Sequence, residues 1–162
     1  MIRHAIAVVA LVQATETAAT QKGTTTMDIT RKADLKTVDS PAEYFTGKVT
    51  VAGAFKRPDP SQVSGGIVHF EPSARSAWHT HPAGQTLIVT EGAGWTQVEG
   101  GPKLEFYAGD VLWFPADQKH WHGATAHEAM THIAIQDVVD GQNVVWMEKV
   151  ADEEYLAPLG SE

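Results

Sequence analysis

Two pairs of histidines carry the chemistry that this sequence can support. His79 and His81 stand two residues apart, and so do His120 and His122. Side chains at positions i and i+2 of a β-strand point to the same face, so each pair can direct two imidazoles into one space. Gln85 follows a Pro-Ala-Gly turn that can bring its amide oxygen back beside the first pair. Imidazoles and an amide oxygen in this pattern indicate a divalent transition-metal site.

Short β-branched and apolar runs must position these side chains. Residues 86–90 read Thr-Leu-Ile-Val-Thr, and residues 130–138 alternate polar side chains with isoleucines. Such runs recur every eight to twelve residues, and the chain has 14 glycines and 8 prolines to turn between them. The pattern predicts an all-β sandwich or small barrel. We place one of the turns at residues 92–94.

Two helical turns complete the predicted elements. Residues 38–45 favour a short N-terminal helical turn, with Ser40 as N-cap, Pro41 at the first helical position and Glu43 completing a capping box. Residues 151–156 favour a second helical turn near the C-terminus. The predicted fold is therefore all-β with a short helical turn at each end.

The first histidine segment resembles the first motif of the cupin superfamily. That motif is a glycine, five residues, His-x-His, three or four residues, a glutamate, six residues and a glycine. Here His79, His81 and the closing Gly92 fit, Gln85 stands in the glutamate place, and Ser73 stands where the leading glycine is usual.

The second histidine segment resembles the second cupin motif. Gly109, Pro115 and His120 fit it, and Asp117 replaces its second glycine. The glutamine of the first motif narrows the resemblance to a branch of single-domain cupins that includes the manganese-dependent hydroxynitrile lyases. The similarity runs from about Met27 to Tyr155.

The resemblance implies a fold, a cofactor and an assembly. The fold would be the cupin double-stranded β-helix, a jelly-roll barrel formed by residues 27–162 as one domain. The cofactor would be one divalent transition metal per chain, Mn(II) first and Fe(II), Zn(II), Ni(II) or Co(II) as alternatives. Intrinsic affinity disfavours manganese, so its selection would depend on geometry and supply. Related cupins are commonly homodimers or homotetramers. The implied metal ligands are His79, His81, Gln85 and His120.

Gln85 has an electronic consequence for such a site. Three neutral imidazoles and an amide leave the full charge of a divalent ion in place, whereas a glutamate would cancel one unit. An uncompensated cation polarises a bound oxygen more strongly and resists oxidation, which favours Lewis-acid chemistry over oxygen activation. The alternative is that glutamine is simply an equivalent ligand that arose by drift.

Three further polar side chains are candidates for substrate chemistry. His122 shares a strand face with His120, while His132 and Gln136 lie on the strand face opposite two isoleucines. Buried polar groups need partners, and a substrate pocket would supply them. Histidine ordinarily titrates near ~6.5, so His122 and His132 suit general acid–base catalysis, with turnover falling at acid pH. The alternative is that they only hydrogen-bond the metal ligands.

The predicted function is a metal-dependent lyase that reversibly cleaves a small cyanohydrin to HCN and an aldehyde. The metal would act as a Lewis acid, one of the two candidate histidines would move the proton, and the other, with Gln136, would hold cyanide. Two alternatives remain open. A metal-dependent cupin dioxygenase would use the same barrel with a redox-active ion, and a non-catalytic cupin would only bind a small molecule.

Composition limits the other classes of function. The chain has 162 residues, 43% apolar, with a net charge of −8 and no basic cluster, which argues against nucleic acid or an anionic membrane as partner. It has no cysteine, so disulfides and thiolate metal sites are excluded. No apolar run reaches the 18 residues of a membrane span. A small-molecule substrate fits best.

Residues 1–26 differ from the remainder of the chain. A basic start followed by the apolar residues 5–12 is a weak signal-peptide pattern, which would give a periplasmic protein. The competing interpretation is translation from Met27, where the cupin resemblance begins, with the preceding codons serving as a ribosome-binding site. We favour the second, and therefore a cytoplasmic protein, and expect residues 1–26 to be removed or unstructured.

Overall fold

A computed structural model describes residues 27–160 of the protein. The predictions for residues 1–26 lie outside the described residues. Within the described range, a 3-10 helix spans Lys32–Asp34 and one short α-helix, α1, spans Asp152–Tyr155. None of its helices has both the length and the apolarity to cross a bilayer. The strands are β1 (Thr37–Asp39), β2 (Phe45–Thr46), β3 (Val49–Lys56), β4 (Val63–Phe70), β5 (Arg75–Ser76), β6 (His79–Thr80), β7 (Gln85–Val98), β8 (Lys103–Tyr107), β9 (Val111–Phe114), β10 (His120–Ala124), β11 (Met130–Asp137) and β12 (Val145–Trp146).

The long strand β7 joins two antiparallel sheets. Its first half pairs with β9 and β11, and β11 continues through β4 and β3 to β1. Its second half pairs with β8 and β10, and β10 also pairs with the short strands β5 and β6. Side chains from both sheets line one cavity. The predicted all-β fold is confirmed.

The turn predicted at residues 92–94 is wrong, because β7 runs through this segment without reversing. Gly92 has a φ of +72°, and a Cβ at this position would lie 1.8 Å from the carbonyl oxygen of Ala129. The pairing of β7 with β11 shifts register at this end of the sheet, between Thr131 and His132. The glycine therefore marks an irregularity within a strand, where β7 passes from one sheet to the other.

The helical turn predicted over residues 38–45 is reduced to one hydrogen-bonded turn. The amide of Tyr44 donates to the carbonyl of Pro41 at 3.0 Å, and no longer helix forms. Ser40 does not cap it, since the buried Ser40 Oγ has no hydrogen-bond partner. Residues 37–39 instead pair with β3, so strand pairing overrides the local capping signal. The predicted C-terminal helical turn is confirmed as α1.

The apolar core surrounds the cavity and also packs outside it. One buried cluster includes Phe70, Val89 and Met130, and Phe70 also belongs to the wall of the cavity. A second cluster packs Trp121 beneath Tyr155 of α1. The hydroxyl of Tyr155 donates to the carbonyl of Ala124 at 2.8 Å, which holds α1 on the sheet. The Trp121 cluster therefore packs outside the cavity, whereas the Phe70 cluster forms part of its wall.

Candidate metal centre

Strand pairing brings the two histidine segments together. His79 on β6 lies opposite His120 on β10, and the centroids of the two rings are 4.3 Å apart. The chain turns after His81, where the amide of Gly84 donates to the carbonyl of His81 at 3.1 Å. Gln85 then begins β7, opposite Gln136 on β11. The polar residues of both motifs thus share one end of the barrel.

Three of the histidines are held in the same way. His79, His81 and His120 each place Nδ1 against a backbone carbonyl, at 2.9, 2.5 and 2.8 Å respectively. A carbonyl only accepts, so Nδ1 carries the hydrogen and Nε2 keeps its lone pair. This is how metal-binding histidines are usually oriented in proteins. The accepting carbonyls belong to Ala77, Asn143 and Gln118.

Several buried polar atoms at this end of the barrel have no protein partner. They include Nε2 of His81, Nε2 of His120 and Oε1 of Gln85. Burying such atoms without a partner costs free energy, and a metal ion would satisfy all three. These residues therefore fit a divalent transition metal, since they offer neutral nitrogen and oxygen ligands from fixed positions.

The tightest group of potential ligand atoms includes His122. One nitrogen each of His79, His120 and His122 lie within 4.8 Å of one another, close enough to hold a metal ion. The ring centroid of His79 is 5.1 Å from that of His81 and 5.3 Å from that of His122. His79 and His120 are thus common to this group and to the predicted ligand set, while His81 and His122 lie at similar distances.

His122 and His132 face each other in the cavity wall. Their ring centroids are 5.0 Å apart, and both rings contact Phe70. Nδ1 of His122 and both nitrogens of His132 are buried without a hydrogen-bond partner. Neither ring is anchored to a backbone carbonyl through Nδ1, so both differ from the three anchored histidines. Both are free to bond a small molecule in the cavity.

Burial changes the basicity of these histidines. It lowers the pKa of His132 to about 3 and that of His120 to about 4. It also lowers the pKa of His122 well below the ordinary value, with a further decrease from the neighbouring His132. The rings are therefore neutral at neutral pH. Burial thus holds the pKa of His122 and of His132 below the ordinary histidine value of 6.5, and the sequence did not reveal how completely the two rings are buried.

The lowered pKa values predict that the metal-free protein loses stability in acid. Between pH ~6.5, where unfolded histidine titrates, and pH ~3, the unfolded chain binds more protons than the folded chain. The free energy of unfolding should therefore be level above pH ~7 and should fall as pH decreases through this window. Urea unfolding of chelator-treated protein from pH 8 to 4 measures the slope.

The variant His132→Leu separates the effect of the histidines on acid stability from the effect of the carboxylates. It removes one buried ionisable group whose folded pKa is lowered to about 3. The slope of unfolding free energy against pH should be shallower than in the wild type. Parallel slopes would show that His132 does not bind a proton on unfolding.

The cavity is small and mostly apolar. Its volume is about 220 Å3. Trp146 stacks on Tyr44 with ring centroids 4.9 Å apart and meets the edge of Phe45 at 5.3 Å. Its ring also lies 4.9 Å from His79, so an aromatic wall stands directly beside the histidines. The cavity can enclose one small molecule with an apolar portion and a polar end.

Sequence reasoning missed several residues of the site. Trp146 and Phe45 lie on short strands whose position relative to His79 depends on long-range pairing, so no local signal marks them. Asn143 acts through its backbone carbonyl, which no side-chain pattern can reveal. Ser64 could have been found, because it shares an alternating face of β4 with the cavity-lining Val68.

Comparisons with known proteins agree with this architecture. Residues 66–136 match the family described as a cupin domain. The chain is 54% identical over 129 residues to a Granulicella tundricola protein named (R)-mandelonitrile lyase, with 80% of this chain and 98% of the relative covered.

Solved structures share the fold. A cupin-like protein from Thermotoga maritima superposes with a TM-score of 0.68 at 38% identity, covering 72% of this chain and 89% of the other. A polyketide cyclase from Streptomyces resistomycificus superposes with a TM-score of 0.59 at 16% identity, covering 80% and 91%, which is a likeness of fold alone. The predicted jelly-roll barrel is thereby confirmed, and the chain belongs to the cupin superfamily.

Proposed function

We propose that this protein is a metal-dependent lyase that reversibly cleaves a small cyanohydrin to HCN and an aldehyde. The observation that carries the proposal is the set of buried, unpartnered imidazole nitrogens around one small cavity. The 54% identity to a protein named (R)-mandelonitrile lyase supports the reaction class. The cofactor and the site residues below belong to the same proposal.

The proposed metal ligands are His79, His81, Gln85 and His120. His122 lies close enough to replace His81, so distance alone does not choose between them. Anchoring favours His81, because the carbonyl of Asn143 fixes its tautomer and leaves Nε2 as the lone-pair atom. His122 has no such anchor at Nδ1. The hydrogen bond to Asn143 keeps His81 in the one orientation that a metal ligand needs. His122 keeps an unbonded Nδ1, which a group that moves a proton needs.

The chemistry of a bound divalent ion at this site is Lewis-acid polarisation of an oxygen. Mn(II) is the first choice, with Fe(II), Zn(II), Ni(II) and Co(II) as alternatives. The protein contributes a set of neutral ligands around that position, since Gln85 brings no charge. In the described part of the chain, the cavity lining contains no carboxylate. Positive charge at the site is therefore not cancelled by the protein.

His122 and His132 are the proposed proton-moving groups. In the cleavage direction, one neutral imidazole accepts the hydroxyl proton of the cyanohydrin. The carbon–oxygen double bond forms as the bond to the nitrile carbon breaks, and its electron pair leaves with cyanide. The imidazolium then returns the proton to cyanide, giving HCN and an aldehyde. The lowered pKa of His132, about 3, favours this return, because burial disfavours the charged ring.

The remaining polar groups hold the leaving cyanide. A neutral imidazole has one N–H to donate, so the second of the two histidines can hydrogen-bond the nitrile nitrogen. The side-chain amide of Gln136 lies on the same wall of the cavity and can donate as well. Trp146, Phe45 and Phe70 supply an apolar surface for the substituent of the aldehyde. The cavity volume of about 220 Å3 limits that substituent to a small aryl or alkyl group.

A cyanide-release screen tests the proposal. Protein reconstituted with Mn(II) is incubated with aliphatic and aromatic cyanohydrins, and HCN and aldehyde are measured together. We expect release above the buffer rate, and loss of that excess after chelation. Release no faster than in buffer with every substrate and every candidate metal would contradict the proposal. Oxygen uptake by the Fe(II) form, measured in parallel, would point to a dioxygenase instead.

Replacing Gln85 by glutamate tests the importance of the neutral ligand set. Gln85→Glu should bind Mn(II) at least as tightly as the wild type, because a carboxylate is the stronger ligand for a hard divalent ion. It should turn over cyanohydrin more slowly, because the added negative charge cancels one unit of positive charge beside the substrate oxygen. The measurement is kcat at matched metal occupancy. Equal or faster turnover would contradict the charge argument.

A further inference from the structure

One buried hydroxyl connects two of the proposed metal ligands. Ser64 lies on β4 with 5% of its surface exposed. Its hydroxyl makes no hydrogen bond to a histidine of the described chain. Its Oγ instead makes three hydrogen bonds, one to a backbone carbonyl and two to side-chain amides. Both amides belong to residues that touch Gln85 or His81.

The single hydroxyl proton of Ser64 decides the direction of all three bonds. Ser64 Oγ donates to the backbone carbonyl of Gln136 at 3.0 Å, and a carbonyl can only accept. The hydroxyl therefore has no second proton to give, and its oxygen can only accept from other groups. Gln136 must offer Nε2, at 3.3 Å, and Asn143 must offer Nδ2, at 3.2 Å.

The orientation of Gln136 then determines that of Gln85. With Nε2 turned to Ser64, the Oε1 of Gln136 faces Gln85. Gln85 must therefore turn its Nε2 toward Gln136, and this nitrogen donates to Oε1 of Gln136 at 3.2 Å. Its own Oε1 is left buried and without a partner, at the site of the proposed metal ligands. The chain of donors and acceptors thus presents an oxygen of Gln85.

Without this chain, packing alone does not distinguish the two orientations of the Gln85 amide. The two ends of a glutamine amide are nearly equal in size, so a half-turn about the last bond changes chemistry without changing packing. The oxygen has lone pairs for a cation, while the NH2 group presents hydrogens. A flipped amide would repel the ion that the other orientation binds.

A second branch from the same hydroxyl reaches His81. The side chain of Asn143 is tied to Ser64, and the backbone carbonyl of Asn143 accepts the hydrogen bond from Nδ1 of His81 at 2.5 Å. That carbonyl fixes which nitrogen of His81 is free. Holding Asn143 in place therefore holds the tautomer and direction of His81.

We infer that Ser64 is a positioning residue, which fixes the amide orientation of Gln85 so that its oxygen rather than its nitrogen meets the metal. The inference rests on the proposed function for the identity of the ligands. It assigns to Ser64 a role that requires no contact with metal or substrate.

The first test is the affinity of Ser64→Ala for Mn(II), without substrate. Metal-free protein is titrated with the ion alone, so the result does not depend on lyase activity. Loss of a group that orients a ligand typically weakens metal binding by about 10- to 100-fold. We expect a loss in this range, and Ser64→Thr, which keeps the hydroxyl, should recover most of it. Wild-type affinity in Ser64→Ala would overturn the inference.

The Gln85→Glu background distinguishes orientation from general stability. A carboxylate has two equivalent oxygens, so it needs no orienting partner. Its outer oxygen would also face Oε1 of Gln136 for as long as Ser64 keeps that amide in place. Ser64→Ala should therefore cause no loss of Mn(II) affinity in this background, and should even improve it. An equal loss in both backgrounds would show that Ser64 matters only for folding.

Two further variants show whether weaker Mn(II) binding in Ser64→Ala results only from a folding defect. Gln136→Met removes the intermediate amide but leaves Ser64 intact, and it should weaken Mn(II) binding in the Gln85 protein and not in the Gln85→Glu protein. Thr96→Val is the matched control. Thr96 is another buried hydroxyl that donates to a backbone carbonyl, that of Trp121 at 2.8 Å, but it does not line the cavity. Its loss should leave the affinity unchanged.

The experiment separates this inference from the proposed function. Wild-type protein that binds Mn(II) while Ser64→Ala binds it equally well would overturn the role of Ser64 and leave the metal site standing. Wild-type protein that binds none of the candidate metals would overturn both. The visible spectrum of the Co(II) form adds a second readout, since loss of the Gln85 oxygen should change the ligand field in Ser64→Ala but not in Thr96→Val.

Discussion

Replacing His79 or His120 by alanine should remove most of the bound metal and leave the barrel folded. The affinity should fall by at least about 100-fold, since losing only the partner of a ligand already costs 10- to 100-fold. These two residues pair across β6 and β10 and belong both to the proposed ligand set and to the group of three histidines whose nitrogens lie within 4.8 Å of one another. The measurement is metal content per chain after dialysis against a dilute Mn(II) buffer.

The fold should survive because part of the apolar core and the strand pairing do not depend on the imidazoles. The cluster of Trp121 and Tyr155 packs outside the cavity, and β10 pairs with β7 through backbone groups. Circular dichroism and a cooperative urea transition check this point. A variant that is folded and still holds one equivalent of metal would overturn the assignment of the altered residue as a ligand.

Metal content per chain in two further variants shows whether His81 or His122 is the third histidine ligand. His81→Ala should lose metal, because His81 is anchored at Nδ1 and its Nε2 is otherwise unpartnered. His122→Ala should keep it, although one nitrogen of His122 lies within 4.8 Å of those of His79 and His120. The opposite pair of results would replace His81 by His122 in the ligand set and would leave His132 as the proton-moving group.

Local patterns predicted much of this architecture. Alternation over two residues placed His79 and His81 on one face, and β-branched runs marked most of the strands. The pairing of His79 with His120 could be expected only from the resemblance to cupins, because it joins segments some 40 residues apart. Spacing and residue type therefore indicate which groups can act, while the fold decides which of them meet.

The remaining differences have physical causes that a sequence does not display. A glycine within a strand resembles a glycine in a turn, so the passage of β7 through Gly92 was predicted as a reversal. The anchor of His81 is a backbone carbonyl of Asn143, 62 residues away, and every residue type carries one. The low pKa of His132 arises from complete burial, which depends on the packing of both sheets.

His132→Ala and His122→Ala should each keep the metal and lose about 10²- to 10⁴-fold in kcat, the usual contribution of general acid–base catalysis. Cleavage requires a group that accepts the hydroxyl proton, and no carboxylate lines the described cavity. Both histidines are neutral and have nitrogens without a protein partner. The double variant should be little worse than the poorer single variant, because the two rings act as a unit.

His69→Ala is the matched control for these variants. His69 lies on β4, the strand beside β11, but its side chain is 38% exposed and its Nδ1 bonds Thr131 rather than facing the cavity. Its removal should leave kcat unchanged. Added imidazole should restore part of the activity of His132→Ala, because the space left by the ring can admit the free base. Such rescue is not expected of a residue that only supports the fold.

The pH profile gives the final test of the proton acceptor. Its pKa is lowered by burial, to about 3 for His132, so the ring remains able to accept a proton well below the ordinary range of histidine. Turnover limited by protonation of this group should therefore persist below pH ~6.5, the ordinary pKa of histidine, for as long as the protein stays folded. Near-full cyanohydrin cleavage by both single variants at full metal occupancy would show that the proton leaves by another route, and the proposed mechanism would be wrong.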